Sequence, residues 1–473
     1  MARFFLAFLL SFTLMFVQAQ DRFDSAIEQL LQKPEYKEAS VGILIEETKS
    51  GQPVYTLNPD KLLIPASTMK LITTATAFRV LGADYRFETK IAYSGKINKD
   101  RILEGDLVLV GGADPALGSE YFQDHYYRFL QNWAQKIKDA GIDMVEGDLV
   151  LDASVYDSEK VPATWIWEDI GNYYGAGANA FTVYDNMFRI TFRSPKRVGE
   201  LTDVIAMWPV PEGLQLKNEV LSSAENRDNA YVFGSPLDKV RVIRGTIPSN
   251  RRAFTIKAAI HDPATILAAD FQKALANIGI FVKGNVVFKN SDHSKYQVVY
   301  VQESPTLAEI AKVLIYESVN LFAEHFLKQL AVEENGLGKR ADAIDIIHNY
   351  WKRNGLSNEF FMEDGSGLSH FNAVSPRFFA ELLRSMHDNP DFVSTLPTAG
   401  EGTLDSFEAD LFPGTTLQAK SGSMTRVRCY SGYLKTDSGK ELVFSIMFNH
   451  FSGQHSALIK EIETLLSTMK STI

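Results

Sequence analysis

The chain alternates between two textures of apolar and polar positions. Val41-Gly-Ile-Leu-Ile-Glu-Glu47 and Val54-Tyr-Thr-Leu57 are strand-like, and Thr48-Lys-Ser-Gly-Gln-Pro53 between them is a turn, so the spacing predicts a hairpin. Asp21–Gln32 has helical spacing. Ser67–Leu81 is rich in helix-compatible apolar residues and stops at Gly82, a good C-terminal stop. From about Tyr85 to Lys295, short strands alternate with Gly and Pro turns. Only Tyr121–Ala140 and Pro263–Ile278 read as helices there. Two runs share the pattern Gly-Asp-Leu-Val-Leu, at Gly105 and Gly147. Helical texture returns over Thr306–Ala331, where Thr306 and Glu309 have capping-box spacing. It continues in Ala341–Arg353 and Pro376–Met386. Asp364-Gly-Ser-Gly-Leu-Ser369 is a loop. Strand runs follow at Thr415–Ala419, Tyr430–Lys435 and Glu441–Phe448, then an amphipathic helix, Ser456–Met469.

At 473 residues the chain exceeds what one core usually organises, so two or three domains are expected. The net charge of −10 argues against a nucleic-acid binder, which needs a basic face. Met1–Ala19 has one early charge, Arg3, an apolar run from Phe4 to Val17 and a small-residue end. That is the pattern of a cleaved signal peptide; the run is shorter than the ~20 residues that span a bilayer. With a single cysteine, Cys429, no intramolecular disulfide can form. Cys429 lies in a strand-like run without nearby Cys or His and is expected to be packing.

Three short patterns carry candidate chemistry. In Pro65-Ala-Ser-Thr-Met-Lys70, Ser67 and Lys70 are three apart and share a helix face. Both fall in the first turn, where the helix field favours an alkoxide and disfavours a protonated lysine, so a desolvated Lys70 would take the Ser67 proton. Ser318-Val-Asn320 lies in an apolar helical stretch; two residues apart, its polar side chains diverge unless the helix breaks. In Lys420-Ser421-Gly422, glycine after a hydroxyl residue lets a ligand backbone approach a strand edge. Each alone is common. Their order along one chain is not.

In that order, Ser-x-x-Lys, Ser-x-Asn and Lys-Ser-Gly before a hairpin and a terminal helix, the sequence resembles the penicillin-recognising serine enzymes. More closely it resembles the D-alanyl-D-alanine carboxypeptidase and endopeptidase group of the penicillin-binding protein 4 type. Gly111-Gly-Ala-Asp-Pro115, Gly147–Asp152, Asp364–Ser369, Gly432-Tyr433 and the long insert extend the likeness over nearly all the chain beyond the leader.

The resemblance implies an α+β fold: a penicillin-binding/β-lactamase-like transpeptidase domain, an antiparallel sheet flanked by helices, from residues 20–84 and 296–473. Residues 85–295 would be a large strand-rich insertion, in two modules. It implies serine-type hydrolysis of peptidoglycan D-alanyl peptides through an acyl-enzyme, outside the cytoplasm in the periplasm or cell wall, with β-lactams as inhibitors and no metal or organic cofactor. By position, Ser67 is the nucleophile, Lys70 the base and Ser318 a proton relay. Asn320 holds the substrate amide. Lys420 and Ser421 receive the terminal carboxylate beside Gly422, and the N–H groups of Ser67 and Ser423 form an oxyanion hole. In Trp165-Ile-Trp-Glu-Asp169, Asp169 would pair with the amine of a diamino acid, with Tyr174 as an aromatic wall.

Two departures stand out. Ser421 replaces the usual threonine and keeps its hydroxyl. Val319 replaces the usual aspartate of the middle motif. A β-lactamase and a non-catalytic wall-binding relative remain the alternatives. The β-lactamase reading lacks its added base, because Gly338 stands where the asparagine of Glu-x-x-Leu-Asn would follow Glu334-Asn-Gly-Leu337.

Overall fold

The computed structural model describes residues 23–289, 293–356 and 359–473. The leader expected at 1–19 lies outside them. Contacts divide the described chain into two units. The first takes the residues up to Arg79, Ala311–Ser318 and Ile347–Ile473; the second takes Val80–Ile310 and Val319–Ile346.

The first unit is built on a five-stranded antiparallel sheet. Its order is Leu417–Met424, Val427–Lys435, Glu441–Asn449, Ser40–Glu47, Pro53–Leu57. The early hairpin therefore joins strands from the far end of the chain, Ile43 facing Ile446. Alternation sorts the side chains. Ile43, Ile45, Ala419, Tyr430, Phe444 and Ile446 belong to one core with Leu458, Ile462 and Leu465 of the terminal helix His455–Thr472. Helix Pro376–Met386 also packs on the sheet; the Tyr433 hydroxyl donates to its Leu383 carbonyl at 2.6 Å. Gly42 accommodates the start of that helix, since a Cβ there would fall 2.8 Å from Pro376 Cγ.

The second unit is strand-rich, with sheets of five, four, three and three strands. The two Gly-Asp-Leu-Val-Leu runs are adjacent parallel strands, Leu107 facing Leu149 and Leu109 facing Leu151. Their aspartates do the same job. Asp106 accepts from the Asp148 N–H at 2.9 Å, and Asp148 from the Asn285 N–H at 2.8 Å, each anchoring the next strand. Helix Asn320–Asn335 belongs to this unit and is buried through Ala331 on every side, its polar Glu324, His325, Lys328 and Gln329 included.

Two expectations about helices change in detail. The stretch Tyr121–Ala140 is a 3₁₀ turn, Glu120–Phe122, and a separate helix, Phe129–Asp139, parted by Arg128 at φ 53°. Thr306–Ala331 is likewise two helices, Leu307–Tyr316 and Asn320–Asn335. The capping box is present: the Thr306 N–H donates to Glu309 at 2.8 Å and the Glu309 N–H to the Thr306 hydroxyl at 3.3 Å. Among the described residues, no helix is long and apolar enough to cross a membrane.

Candidate active site

Ser67 does not open an α-helix. It lies in a 3₁₀ turn, Ala66–Thr68, which tightens the chain before helix Met69–Val80. The Thr68 hydroxyl donates to the Pro65 carbonyl at 2.7 Å and fixes that turn. Ser67 stays partly exposed, whereas Lys70 is 0% exposed. The expected pairing is present, with Lys70 Nζ donating to Ser67 Oγ at 3.0 Å.

The amine is aimed by the Asp364–Ser369 loop, to which the motifs assign no role. Lys70 Nζ donates to the Ser366 carbonyl at 2.7 Å, and the Thr73 hydroxyl to the Gly365 carbonyl at 2.7 Å. The buried Asp364 carboxylate shapes this loop, accepting from the N–H groups of Gly367 at 2.8 Å and Ser369 at 2.6 Å. Gly367 has φ 83° and presses on the nucleophile's turn; a Cβ there would lie 1.9 Å from the Ala66 carbonyl oxygen. A lysine oriented by a carbonyl and a hydroxyl is placed to accept that hydroxyl's proton once it is neutral.

Strand Leu417–Met424 closes the site. Gly422 passes so near the nucleophile's turn that a Cβ would lie 2.4 Å from the Pro65 oxygen and 3.2 Å from the Ser67 nitrogen. This is the close approach for which only glycine has room. Lys420 is 0% exposed and donates to the Ser421 carbonyl at 2.7 Å. Burial pulls its ammonium well below the ordinary lysine value, and the positive charges of Lys70 and Arg428 pull the same way. The strand is the sheet's edge. Its Ala419 N–H points outward to the Pro397 carbonyl at 3.1 Å. By alternation the N–H groups of Ser421 and Ser423 point outward too. Ser421 is buried and Ser423 exposed.

The middle motif sits at a break. The helix ends at Tyr316, Ser318 adopts φ 57°, Val319 is extended, and a new helix begins at Asn320. Ser318 belongs to the unit of Ser67, Lys70, Lys420, Ser421, Gly422 and Ser423; Asn320 belongs to the strand-rich unit. There the Asn320 amide donates to the Tyr174 carbonyl at 2.9 Å. Tyr174 also pairs with Asp169, and burial, then the Asp169 charge, push its phenol far above the ordinary value. Of the two tryptophans in that segment, Trp165 is core and Trp167 is exposed. Cys429 is buried, as expected of packing, and burial raises its thiol to about 12. Among the described residues, no group of three His, Cys, Asp or Glu side chains could hold a metal ion.

Set beside known proteins, residues 23–469 match the D-Ala-D-Ala carboxypeptidase 3 (S13) family. The chain belongs to that family. A D-alanyl-D-alanine carboxypeptidase of Actinomadura sp. (strain R39) is 30% identical over 90% of this chain and 81% of its own length. D-alanyl-D-alanine carboxypeptidase DacB of Haemophilus influenzae is 25% identical over 88% of this chain and 86% of its own. Among solved structures, penicillin binding protein 4 of Haemophilus influenzae superposes with a TM-score of 0.80 at 23% identity, covering 94% of this chain and 99% of that one. The S13 chain described here therefore has the penicillin-binding fold expected from its motifs. Its function, too, is that of the family: a serine-type D-Ala-D-Ala carboxypeptidase.

Proposed function

We propose that the chain cleaves peptidoglycan stem peptides through an acyl-enzyme on Ser67, acting as a carboxypeptidase, a DD-endopeptidase or both. The observation that carries this reading is the 3.0 Å hydrogen bond between the partly exposed Ser67 and the fully buried Lys70. Lys70 takes the Ser67 proton as Oγ attacks the carbonyl of the penultimate D-alanine. The N–H groups of Ser67 and Ser423 stabilise the oxyanion, an effect worth about 3–4 kcal/mol per donor in other enzymes. Ser318 passes the proton to the leaving amine, and water then releases the acyl group. Lys420 and Ser421 hold the terminal carboxylate, whose charge satisfies the buried ammonium, while Gly422 keeps the strand close. Asn320 holds the substrate amide. Asp169 pairs with a side-chain amine of the stem, beside Tyr174.

Residues 20–84 and 296–473 form the catalytic domain in this reading, with 85–295 inserted. Residues 1–19 are a cleaved leader that delivers the enzyme to the periplasm or cell wall. β-Lactams, which present a strained amide and a carboxylate, acylate Ser67; a structure of the Haemophilus protein is a β-lactam complex. The test is covalent labelling by a fluorescent penicillin, lost in Ser67→Ala. Labelling that survives the substitution would overturn the assignment of the nucleophile.

A further inference from the structure

The strand-rich unit contains a second set of buried ionisable groups that the reaction leaves unused. They line a cavity of about 270 Å³. Arg241 is 4% exposed there. Its Nη1 donates to the carbonyls of Asp238 at 2.7 Å and Val240 at 2.8 Å. Those acceptors are neutral. Among the described residues, its buried Nε has no hydrogen-bond partner. Nε and Nη2 share the edge of a guanidinium that grips a carboxylate with two parallel hydrogen bonds. Burial pulls Arg241 below its ordinary value, and the exposed Asp238 offsets this only in part.

His261 lines the same cavity, 8% exposed, and neither ring nitrogen has a partner among the described residues. Burial, then the charges of Arg241 and Lys160, push its imidazole down to about 3. Helix Pro263–Asn277 begins two residues later, adding the positive potential of its N-terminus. Its flanking Asp262 carboxylate is engaged by the Thr265 hydroxyl at 2.6 Å. Buried donors without acceptors are costly, and an anion entering the cavity would satisfy both side chains. Phe188, Leu214 and Ile260 add apolar wall. The acids Glu212 and Asp238 stand exposed around it, which disfavours a doubly charged phosphate.

We propose that this cavity binds the carboxylate of a small organic acid with an apolar body, gripped side-on by Arg241 and hydrogen-bonded by His261. The site is separate from the Lys420 carboxylate site and does not depend on the reading of the catalytic residues. Calorimetric titration of the full chain with sodium isobutyrate tests it, with inorganic phosphate as the second probe. Isobutyrate binding is expected to persist in Lys420→Met, where the catalytic carboxylate site is silenced, and to weaken about tenfold or more in Arg241→Gln. Gly234→Ala should weaken it comparably, because its Cβ would fall 2.5 Å from Arg241 Cδ and 2.8 Å from both Arg241 Nη1 and the Val240 carbonyl oxygen, displacing the guanidinium and its acceptor while keeping the charge. A thermal unfolding profile unchanged from the parent, alongside unchanged penicillin labelling, confirms that these two variants fold in both units. In the unsubstituted chain, isobutyrate should shift the ring ¹⁵N resonances of His261, a readout that needs no variant. Absence of binding, loss of binding in Lys420→Met, indifference to both Arg241→Gln and Gly234→Ala, or a preference for phosphate would each overturn the proposal.

Discussion

Two lysines are buried to nearly the same depth, one in each unit, in opposite electrical surroundings. Lys328 of the strand-rich unit is 4% exposed. It donates to Asp157 at 2.7 Å and to the Glu159 carbonyl at 2.6 Å, and lies 4.8 Å from the centre of the Tyr156 ring. Lys420 is 0% exposed, beside the Ser421 carbonyl at 2.7 Å, the Thr403 hydroxyl at 3.5 Å and the cations Lys70 and Arg428. The first lysine is complete in the folded chain. The second has two cations and no carboxylate among the charged groups that act on it. Burying an unsatisfied charge costs stability, so its presence argues for a ligand, whereas a fully paired lysine argues only for structure.

Substitution separates the two cases. Lys420→Met should lower kcat/KM for D-alanyl-D-alanine peptides about 10²-fold or more, yet raise stability to urea by about 1 kcal/mol. The sign follows from protonation. The unfolded amine holds its proton up to its ordinary value of 10.5, whereas the folded one resists protonation. The stability difference between variant and parent should therefore shrink as pH rises towards 10.5. A destabilised Lys420→Met would break the contrast. Lys328→Met should do the reverse, costing about 1–3 kcal/mol because Asp157, itself partly exposed, loses its partner. Penicillin acylation of the folded fraction should be unchanged.

A third test uses acid. His325 accompanies Lys328 on the same helix, fully buried, with its ring nitrogens 3.2 Å from the Tyr156 hydroxyl and 2.8 Å from the Thr182 hydroxyl. Burial, then Lys328, push it down to about 3. The unfolded imidazole takes a proton below about 6.5, so the folded state is penalised as pH falls from there towards 3, by up to about 1.4 kcal/mol per unit. Thermal unfolding from pH 7.5 to 4 should show this slope, flattened in His325→Gln. The smallest effect concerns Asp169. Asp169→Asn should lower kcat/KM about fivefold for stem peptides with a free side-chain amine and leave N-acetylated ones unchanged. Equal losses on both would remove Asp169 from substrate recognition.

Side-chain chemistry and periodicity were legible in advance. Ser67 and Lys70 meet because a three-residue spacing brings them together in a 3₁₀ turn as it does in an α-helix. The early and late strands were readable as strands from their alternation, whereas their union in one sheet followed only from the family resemblance. Ser366 was not readable as part of the site, because it acts through a carbonyl that every residue possesses; the nearby Gly365 and Gly367 were the only signal. The 3₁₀ turn at Ser67 and the reversal at Ser318 were also hidden, since both depend on backbone angles that non-glycine residues seldom adopt. The Arg241 cavity joins residues from Lys160 to Thr265, and no local pattern announces it.

The sheet's two margins have a consequence for colloidal behaviour. An unpaired strand margin invites a second molecule to add to it. Here one margin is the five-residue strand Pro53–Leu57, which starts with a residue that cannot donate. The other is covered at Gln418 and Ala419 by the segment Pro397–Thr398, leaving outward N–H groups only from Ser421 onward. That stretch, Ser421–Met424, is too short for another sheet to pair along. The protein can therefore leave part of an edge strand uncovered and still resist edge-to-edge aggregation at high concentration.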